Sequence, residues 1–285
     1  MQPATDDAQI ARVPMYRVRD GSVCADIDPL AVEEPLEIRL QYEVDGAPRL
    51  RQIAVTMRTP GHDPELAVGF LVSEGIVCHA DEVEGTQHCP ITERQTSHNV
   101  LTVRLAPGVT FDAKRLERNF YTTSSCGVCG KTSLEALNTV SAPVLPTDAP
   151  QLDPDLISRL PKSLRTAQDV FEQTGGLHAA ALFTPDGTLL RVREDVGRHN
   201  AVDKLVGSFF FENRLPLSDS ILLVSGRTSF ELAQKALMAG IPVLAAISAP
   251  SSLAVGLAEE FGMTLLGFVR DGRFNVYAGA HRLGL

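Results

Sequence analysis

Four apolar residues, Ile221-Leu-Leu-Val224, run directly into the small, hydroxyl-bearing and basic stretch Ser225-Gly-Arg-Thr-Ser229. The pattern predicts a buried strand that ends in a loop and is followed by a helix over residues 229–239. A second apolar run, Val243-Leu-Ala-Ala-Ile247, comes next. Strands that are apolar on both faces are typical of a sheet covered by helices on both sides. We therefore expect a layered α/β/α domain here.

The neighbouring segments extend this domain in both directions. The turn Pro185-Asp186-Gly187 joins two predicted strands, which adds an antiparallel pair and makes the sheet mixed. We place the C-terminal α/β/α domain at residues 163–285. Its remaining expected elements are helices at 163–174, 199–211 and 251–261 and strands at 177–183, 188–193, 263–269 and 273–277.

The N-terminal part is expected to be a β-rich α+β portion. Apolar and polar residues alternate from 35 to 58 around Asp45-Gly46, which predicts a hairpin. Asp63-Pro64-Glu65 has the signals of a helix start, and that helix should end near Gly75. A further strand is expected at 99–105. We assign a flexible tail at 1–13, an N-terminal domain at 14–140 that ends in a CxxC loop and a short helix, and a connection at 141–162 with five prolines.

Composition excludes several classes of protein. The chain has 285 residues and a formal net charge of −9, which argues against a nucleic-acid-binding protein. The chain has no run of about 18 apolar residues, so we expect no membrane-spanning helix. Five cysteines are an odd, low count, and the N-terminus lacks the pattern of a secretory signal. We expect a cytoplasmic protein with no membrane or nucleic-acid partner.

The segment Cys126-Gly-Val-Cys129-Gly-Lys131 is the strongest candidate for reactive chemistry. A thiol that precedes a helix and lies beside a lysine ionises more readily, and the thiolate is the nucleophile. Such a pair can carry sulfur as a persulfide and resolve it. Two alternatives remain open. The pair could be half of a structural zinc site, in which case the other ligands would have to come from Cys78, Cys89, His79 or His88. It could also be a thioredoxin-like redox pair, although such a pair normally precedes the first helix of a βαβ unit.

Four loops that follow predicted strands form a second candidate site. They start at Asp195, Ser225, Ser248 and Arg270, and they carry hydroxyls, glycines and four arginines. In open α/β sheets ligands bind beyond the carboxyl ends of the strands, where helix N-termini favour anions. We expect a phosphate-bearing ligand here. His199 is either a base, a ligand or a helix-start residue bonded to a neighbour, His178 is interpreted as a core residue, and Glu65 and Glu74 as part of a solvated helix face.

Several motifs together resemble the FdhD/NarQ family. They are Tyr121-Thr-Thr-Ser-Ser-Cys126-Gly-Val-Cys129-Gly130, Arg193-Glu-Asp-Val-Gly-Arg-His-Asn200, Ser225-Gly-Arg-Thr-Ser229, Thr59-Pro-Gly, Glu65-Leu-Ala-Val-Gly-Phe-Leu and Phe268-Val-Arg-Asp-Gly-Arg273. The resemblance runs in the family's order from about residue 35 to the C-terminus. A CxxC pair alone would not be specific, but this combination is.

The resemblance implies a sulfurtransferase or sulfur carrier. Members of the family take sulfur from a cysteine desulfurase and pass it to the bis(molybdopterin guanine dinucleotide) molybdenum cofactor before the cofactor enters apo-formate dehydrogenase. The resemblance makes Cys126 the persulfide-bearing residue and Cys129 its partner thiol. It also implies a homodimer and a second domain that resembles the cytidine deaminase fold. The candidate cofactor-binding residues are Phe268, Val269, Arg270, Asp271, Gly272, Arg273, Arg198, His199, Ser225 and Arg227.

The deaminase resemblance comes without the deaminase zinc ligands. Zinc deaminases need an H-x-E motif and a P-C-x-x-C motif. Here the comparable run is His199-Asn200-Ala201, and the next loop has Ser225-Gly-Arg with no cysteine. We expect no tightly bound metal. Two competing classes remain: a non-enzymatic molybdenum-cofactor-binding chaperone with a structural or regulatory CxxC pair, and a zinc-stabilised interaction domain.

Overall fold

The N-terminal half is built from a two-stranded antiparallel sheet, a mixed four-stranded sheet and one helix. A computed structural model describes residues 8–89, 99–109 and 142–285. The predicted hairpin around Asp45-Gly46 is present, and so are the predicted helix and the strand after residue 99. The elements are β1 (Ile10–Arg19), β2 (Ser22–Ala31), β3 (Glu34–Val44), β4 (Ala47–Arg58), α1 (Asp63–Ser73), a 3₁₀ turn (Ala80–Glu82), β5 (Val83–His88) and β6 (Val100–Leu105).

The C-terminal half alternates between helices and strands, as expected from the sequence. Its helices are α2 (Pro154–Thr166), α3 (Asp169–Thr174), α4 (Arg198–Phe210), α5 (Phe230–Met238) and α6 (Ser252–Glu260). Its strands are β7 (His178–Phe183), β8 (Leu189–Asp195), β9 (Ile221–Val224), β10 (Val243–Ala246), β11 (Thr264–Arg270) and β12 (Arg273–Ala278), and a 3₁₀ turn (Ala280–Leu283) follows. In the described part of the chain, no helix has the length and apolar character needed to cross a bilayer.

The large sheet is mixed and has helices on both faces, which confirms the layered α/β/α prediction. Its six strands run in the order β12-β11-β10-β9-β7-β8, with β9, β10 and β11 parallel and the other pairs antiparallel. Successive residues face opposite sides. On one side Leu223 and Ala245 pack with α2, and on the other Leu222 and Leu244 pack with α4, α5 and α6.

A second sheet of four strands, ordered β4-β3-β6-β5, lies on the far side of α1. Helix α1 packs against α4, so one buried cluster joins Leu36 and Leu101 of the N-terminal half to Leu205 and Leu222 of the C-terminal half. The two halves therefore share one hydrophobic core.

Three local expectations differ from the structure. Residues 10–13, predicted as tail, lie in β1, which pairs with β2 along ten residues of each strand. The predicted helix 163–174 is instead α2 and α3, and α2 begins inside the proline-rich connection. Pro154 occupies the first turn, where its missing N–H costs nothing, and the side chain of Asp153 caps the helix by accepting from Asp155 N–H at 2.9 Å. The predicted CxxC loop and the helix over 131–140 lie outside the described residues.

Candidate functional site

The carboxyl ends of β9, β10 and β11 meet at one edge of the large sheet, as the sequence predicted. Ser225 is fixed against β7, because its N–H donates to Ala179 O at 3.0 Å and its hydroxyl accepts from Ala179 N–H at 2.9 Å. The loop after β9 is joined to the loop after β10 by a β-bridge between Thr228 and Pro250. The structure thus brings the loops after the three parallel strands into one continuous surface.

Two helix N-termini open onto this surface. The side chain of Ser229 caps α5 by accepting from Leu232 N–H, and Ser251 caps α6 by accepting from Ala254 N–H at 3.2 Å. The free N–H groups of a helix start and the positive end of its dipole both favour an anion. Two such ends side by side suit a ligand that carries more than one phosphate.

Arg198 supplies a buried donor to the same surface. It is the first residue of α4, and its Cδ atom would lie 3.7 Å from a Cβ atom placed on Gly226. Within the described residues, its Nε atom is buried and has no hydrogen-bond partner. A buried donor without a partner costs free energy unless a ligand or water satisfies it. Arg227, one residue beyond Gly226, is exposed.

His199 lies beside Arg198 and is held by the start of α5. Its Nε2 atom is 3.2 Å from Ser229 Oγ and 2.9 Å from Glu231 Oε2. The hydrogen bond from His199 outweighs the effect of burial and lowers the pKa of Glu231. A carboxylate that stays ionised keeps the imidazole of His199 oriented.

A cavity of about 480 Å³ opens beside Ser225, on the α2 side of the sheet. His178 lines it and is only partly buried, so its interpretation as a core residue was wrong. Burial, together with the positive charges of Arg198 and His199, lowers the pKa of His178. The cavity is lined by Pro161, Arg165, Gln168, Phe171, Gly175, Gly176, Leu177, His178, Ser225 and Ile247.

The segment 268–273 forms the far end of the surface. Phe268 N–H donates to Ser248 O at 3.1 Å, and Phe268 has a left-handed backbone (φ 53°) and a side chain that is 38% exposed. Val269 is fully buried and packs in the core under the sheet, so it contributes its backbone at most. Arg270, Asp271, Gly272 and Arg273 form the exposed turn between β11 and β12.

Comparisons with known proteins identify the family of this chain. The model of the FdhD/NarQ family matches residues 31–284. The chain belongs to the FdhD/NarQ family. It is 57% identical to the sulfur carrier protein FdhD of Streptomyces avermitilis over 277 residues, which are 96% of this chain and 95% of that one. It is 42% identical to the sulfur carrier protein FdhD of Saccharolobus solfataricus, over 96% of this chain and 98% of that one.

A solved structure shares the fold. It is described as a formate dehydrogenase accessory protein from Desulfotalea psychrophila, with a TM-score of 0.72 and 25% sequence identity over 96% of this chain and 99% of that one. The architecture described above is therefore shared with this accessory protein and is not peculiar to this chain.

Two of the family-like motifs meet at a buried junction away from the open surface. Asp195 is fully buried and accepts hydrogen bonds from Thr59 N–H at 3.1 Å and from Asn200 Nδ2 at 3.0 Å. Gly197 N–H also donates to Asp195 at 2.8 Å, and Lys204 pairs with it, with Nζ 2.7 Å from Asp195 Oδ2. Asn200 also donates to Met57 O at 2.7 Å. These residues tie the end of β4 to the start of α4, and thereby hold Arg198 and His199 at the sheet edge.

Glu65 is another structural residue of the FdhD/NarQ motifs. Its assignment to a solvated helix face was wrong, because Glu65 is 5% exposed and accepts two hydrogen bonds from Arg193 at 2.6 and 2.9 Å. Burial alone would raise the pKa of Glu65, but the bonds from Arg193 and His62 lower it to about 2. The pair fixes α1 to β8, next to the Asp195 junction.

The sulfur-carrying residues of the prediction, Cys126 and Cys129, lie outside the described residues, as does Lys131. Their distance from Arg198 or from the cavity is therefore not part of this geometry. Over residues 8–89, 99–109 and 142–285 no cluster of three or more His, Cys, Asp or Glu side chains could hold a metal ion. The expectation of no tightly bound metal stays a prediction, with a zinc site at the CxxC pair as its alternative.

Proposed function

We propose that the protein is a sulfur carrier that serves formate dehydrogenase. It accepts sulfur from a cysteine desulfurase as a persulfide on Cys126 and passes it to the bis(molybdopterin guanine dinucleotide) molybdenum cofactor before the cofactor enters the apo-enzyme. Membership of the FdhD/NarQ family and the sulfur carrier name of relatives at 57% identity support the carrier role. A cytoplasmic location, a homodimer and a cytidine-deaminase-like second domain belong to the same proposal.

The observation that carries the cofactor half of the proposal is the charged edge of the large sheet. Arg198 has a buried Nε without a partner in the described chain, and it lies beside Gly226, in the loop that leads to the capped helix start at Ser229. A dinucleotide-type ligand carries several phosphates in a row. Such a ligand supplies the acceptors that this edge lacks, despite the net charge of −9 on the whole chain.

The sulfur chemistry balances with two thiols. The Cys126 thiolate attacks the outer sulfur of the desulfurase persulfide, and the donor cysteine leaves as a thiolate. The Cys129 thiolate then attacks the Cys126 sulfur of the new persulfide, which releases hydrosulfide for the molybdenum and leaves a Cys126–Cys129 disulfide. The two electrons that reduce the transferred sulfur come from the two thiols. A dithiol reductant must restore the pair before the next cycle.

The direct test is sulfur loading followed by intact mass measurement. The protein is incubated with a cysteine desulfurase and cysteine, and we expect the mass to rise by one sulfur atom. Cys126→Ala should abolish the gain, whereas Cys24→Ala should keep it, because Cys24 is an exposed thiol on β2 and serves as the matched control. A wild-type protein that gains no sulfur would contradict the proposal.

A cofactor chaperone is the second candidate function. The charged edge supports cofactor binding without any sulfur step, so the CxxC pair would then be structural or regulatory. The two functions differ in cells that lack the endogenous protein. If Cys126→Ala restores formate dehydrogenase activity as fully as the wild type does, the chaperone is correct and the carrier is not.

A further inference from the structure

We propose that the cavity between α2, α3 and the sheet edge is a separate compartment for a flat, polar heterocycle of the pterin type. The inference rests on the proposed function, because it assigns the two ends of one elongated cofactor to two places. The end at 268–273 takes the nucleotide, the loops of α5 and α6 take the phosphates, and the cavity takes the ring at the opposite end.

The cavity lies at the opposite end of the charged sheet edge from Phe268. Along the edge, β11 is followed by β10, β9 and β7. The cavity opens where β9 ends and β7 begins. Neighbouring strands lie about 4.8 Å apart, so Phe268 and His178 are separated by about 14 Å along the edge. A pyrophosphate with a ring system on either side covers a span of this order. The two capped helix starts lie between the two ends.

The lining of the cavity includes groups that suit a flat ring. Phe171 offers an aromatic face, and the guanidinium of Arg165 lies 4.3 Å above its centre. Aromatic rings and guanidinium planes are the surfaces on which flat heterocycles stack. Pro161, Leu177 and Ile247 add apolar wall. The guanidinium of Arg165 covers this face of Phe171 and is itself exposed, so the ring would stack on the outer face of the guanidinium, with Phe171 behind it.

The lining of the cavity also includes polar groups. His178 and Ser225 both face the cavity, and the lowered pKa of His178 favours a neutral imidazole that can donate and accept. A heterocycle with amide and amino edges needs partners of both kinds. The volume of about 480 Å³ falls within the range of about 300–1,000 Å³ that is usual for small-molecule sites.

Glu194 holds the stacking residue in place. Its carboxylate accepts hydrogen bonds from the N–H groups of Val170 and Phe171, both at 3.0 Å. The carboxylate also interacts with the side chain of Gln168, which is 5% exposed. The start of α3 is therefore already occupied and does not compete for an anion. The hydrogen bond from Phe171 N–H to Glu194 fixes the Phe171 backbone at the cavity wall.

The test measures the two compartments with two probes. Pterin-6-carboxylate is fluorescent, and the chain has no Trp to interfere with its signal. GDP binding is followed by calorimetry on the same protein. We expect both probes to bind wild type at the same time. Phe171→Leu should weaken pterin binding by at least about fivefold, since stacking on an aromatic side chain is worth roughly 1–3 kcal/mol per base, and it should leave GDP binding unchanged.

Two arginine variants test whether the loss of pterin binding is specific to the cavity. Arg165→Gln should also weaken pterin binding, whereas Arg214→Gln should not, because Arg214 makes a similar contact with Phe209, 4.9 Å from its ring centre, away from the cavity. If GDP binds but the pterin does not, or if GDP displaces the pterin, the separate compartment is refuted and the proposed function stands. If neither probe binds, cofactor binding itself is refuted.

Discussion

Gly69 and Gly207 mark the places where helices α1 and α4 touch backbone to backbone. A Cβ atom on Gly69 would lie 1.9 Å from the carbonyl oxygen of Asp203, and one on Gly207 would lie 1.9 Å from the carbonyl oxygen of Glu65. Real Cβ atoms do not approach an oxygen so closely. The absence of a side chain at both positions therefore sets the distance between the two helices, and with it the fit between the two halves of the chain.

Alanine at either glycine should push the helices apart. We expect Gly69→Ala and Gly207→Ala each to lower the free energy of unfolding by about 3 kcal/mol or more, the upper range for overpacking a core. Gly256 in α6 is the control, because nothing lies within 4 Å of its Cβ position. Gly256→Ala should raise stability by up to about 1 kcal/mol through helix propensity. Urea unfolding measures all three, and equal losses for Gly69 and Gly256 would contradict the close-contact interpretation.

The Glu65–Arg193 pair should make stability depend on acid. The pKa of Glu65 is about 2 in the folded chain against an ordinary value of 4.5. Its stabilisation is therefore complete above pH 4.5 and is lost as the pH falls towards 2, for a total of about 3 kcal/mol. Glu65→Gln should be less stable at pH 7, where it leaves Arg193 without its carboxylate, and should show a flatter decline in acid. Unfolding curves between pH 7 and 2 measure this, with exposed Glu43→Gln retaining the wild-type profile.

Arg198 should matter more than Arg227 for binding a nucleotide. Arg198 has a buried Nε that awaits an acceptor, whereas Arg227 is exposed and its charge is screened by salt. We expect Arg198→Gln to weaken GDP binding by about tenfold or more at every salt concentration, as for a hydrogen bond to a charged group. Arg227→Gln should have a smaller effect that fades as salt rises. Arg214→Gln is again the control, and an effect of Arg198→Gln that vanished in high salt would show that Nε makes no direct bond.

Metal content should distinguish the carrier from the zinc-stabilised domain. Ala201 lies two positions after His199, where an H-x-E motif has its glutamate, and is fully buried in α4. We expect elemental analysis of the purified protein to find far less than one zinc per chain. Stoichiometric zinc that is lost in Cys129→Ala would instead establish the CxxC pair as half of a metal site. Zinc that is kept in that variant but lost in His199→Ala would show a deaminase-type site.

The large sheet could be predicted because its strands have a simple reason to be apolar throughout. Ile221 to Val224 face helices on both sides, so neither face needs polar residues. The hairpin within the four-stranded sheet was also readable, since the buried Leu36, Ile38 and Leu40 alternate with partly exposed polar residues. The charged sheet edge followed from the same strands, because the loops after parallel strands must meet.

The features that sequence could not predict depend on partners far along the chain. Glu65 has the sequence context of an exposed helix residue, and only Arg193, 128 positions away, explains its burial. His178 begins β7, and it faces a cavity because α2 and α3 end beside it. A signal was present at Gly175-Gly176, where two small residues leave room beside the strand start. The β1–β2 pair has no such signal, because most of its side chains are exposed and do not alternate clearly.

The single hydrophobic cluster that runs from Leu36 through α1 and α4 to Leu222 has a consequence for exchange of parts between relatives. A chimera that joins the CxxC half of this chain to the sheet half of another member cuts through packed side chains rather than through a linker. Its two parents must match at the glycine crossing, at Glu65 with Arg193, and at Asp195 with Thr59. The two halves, and with them the proposed sulfur and cofactor sites, are therefore expected to evolve as one unit.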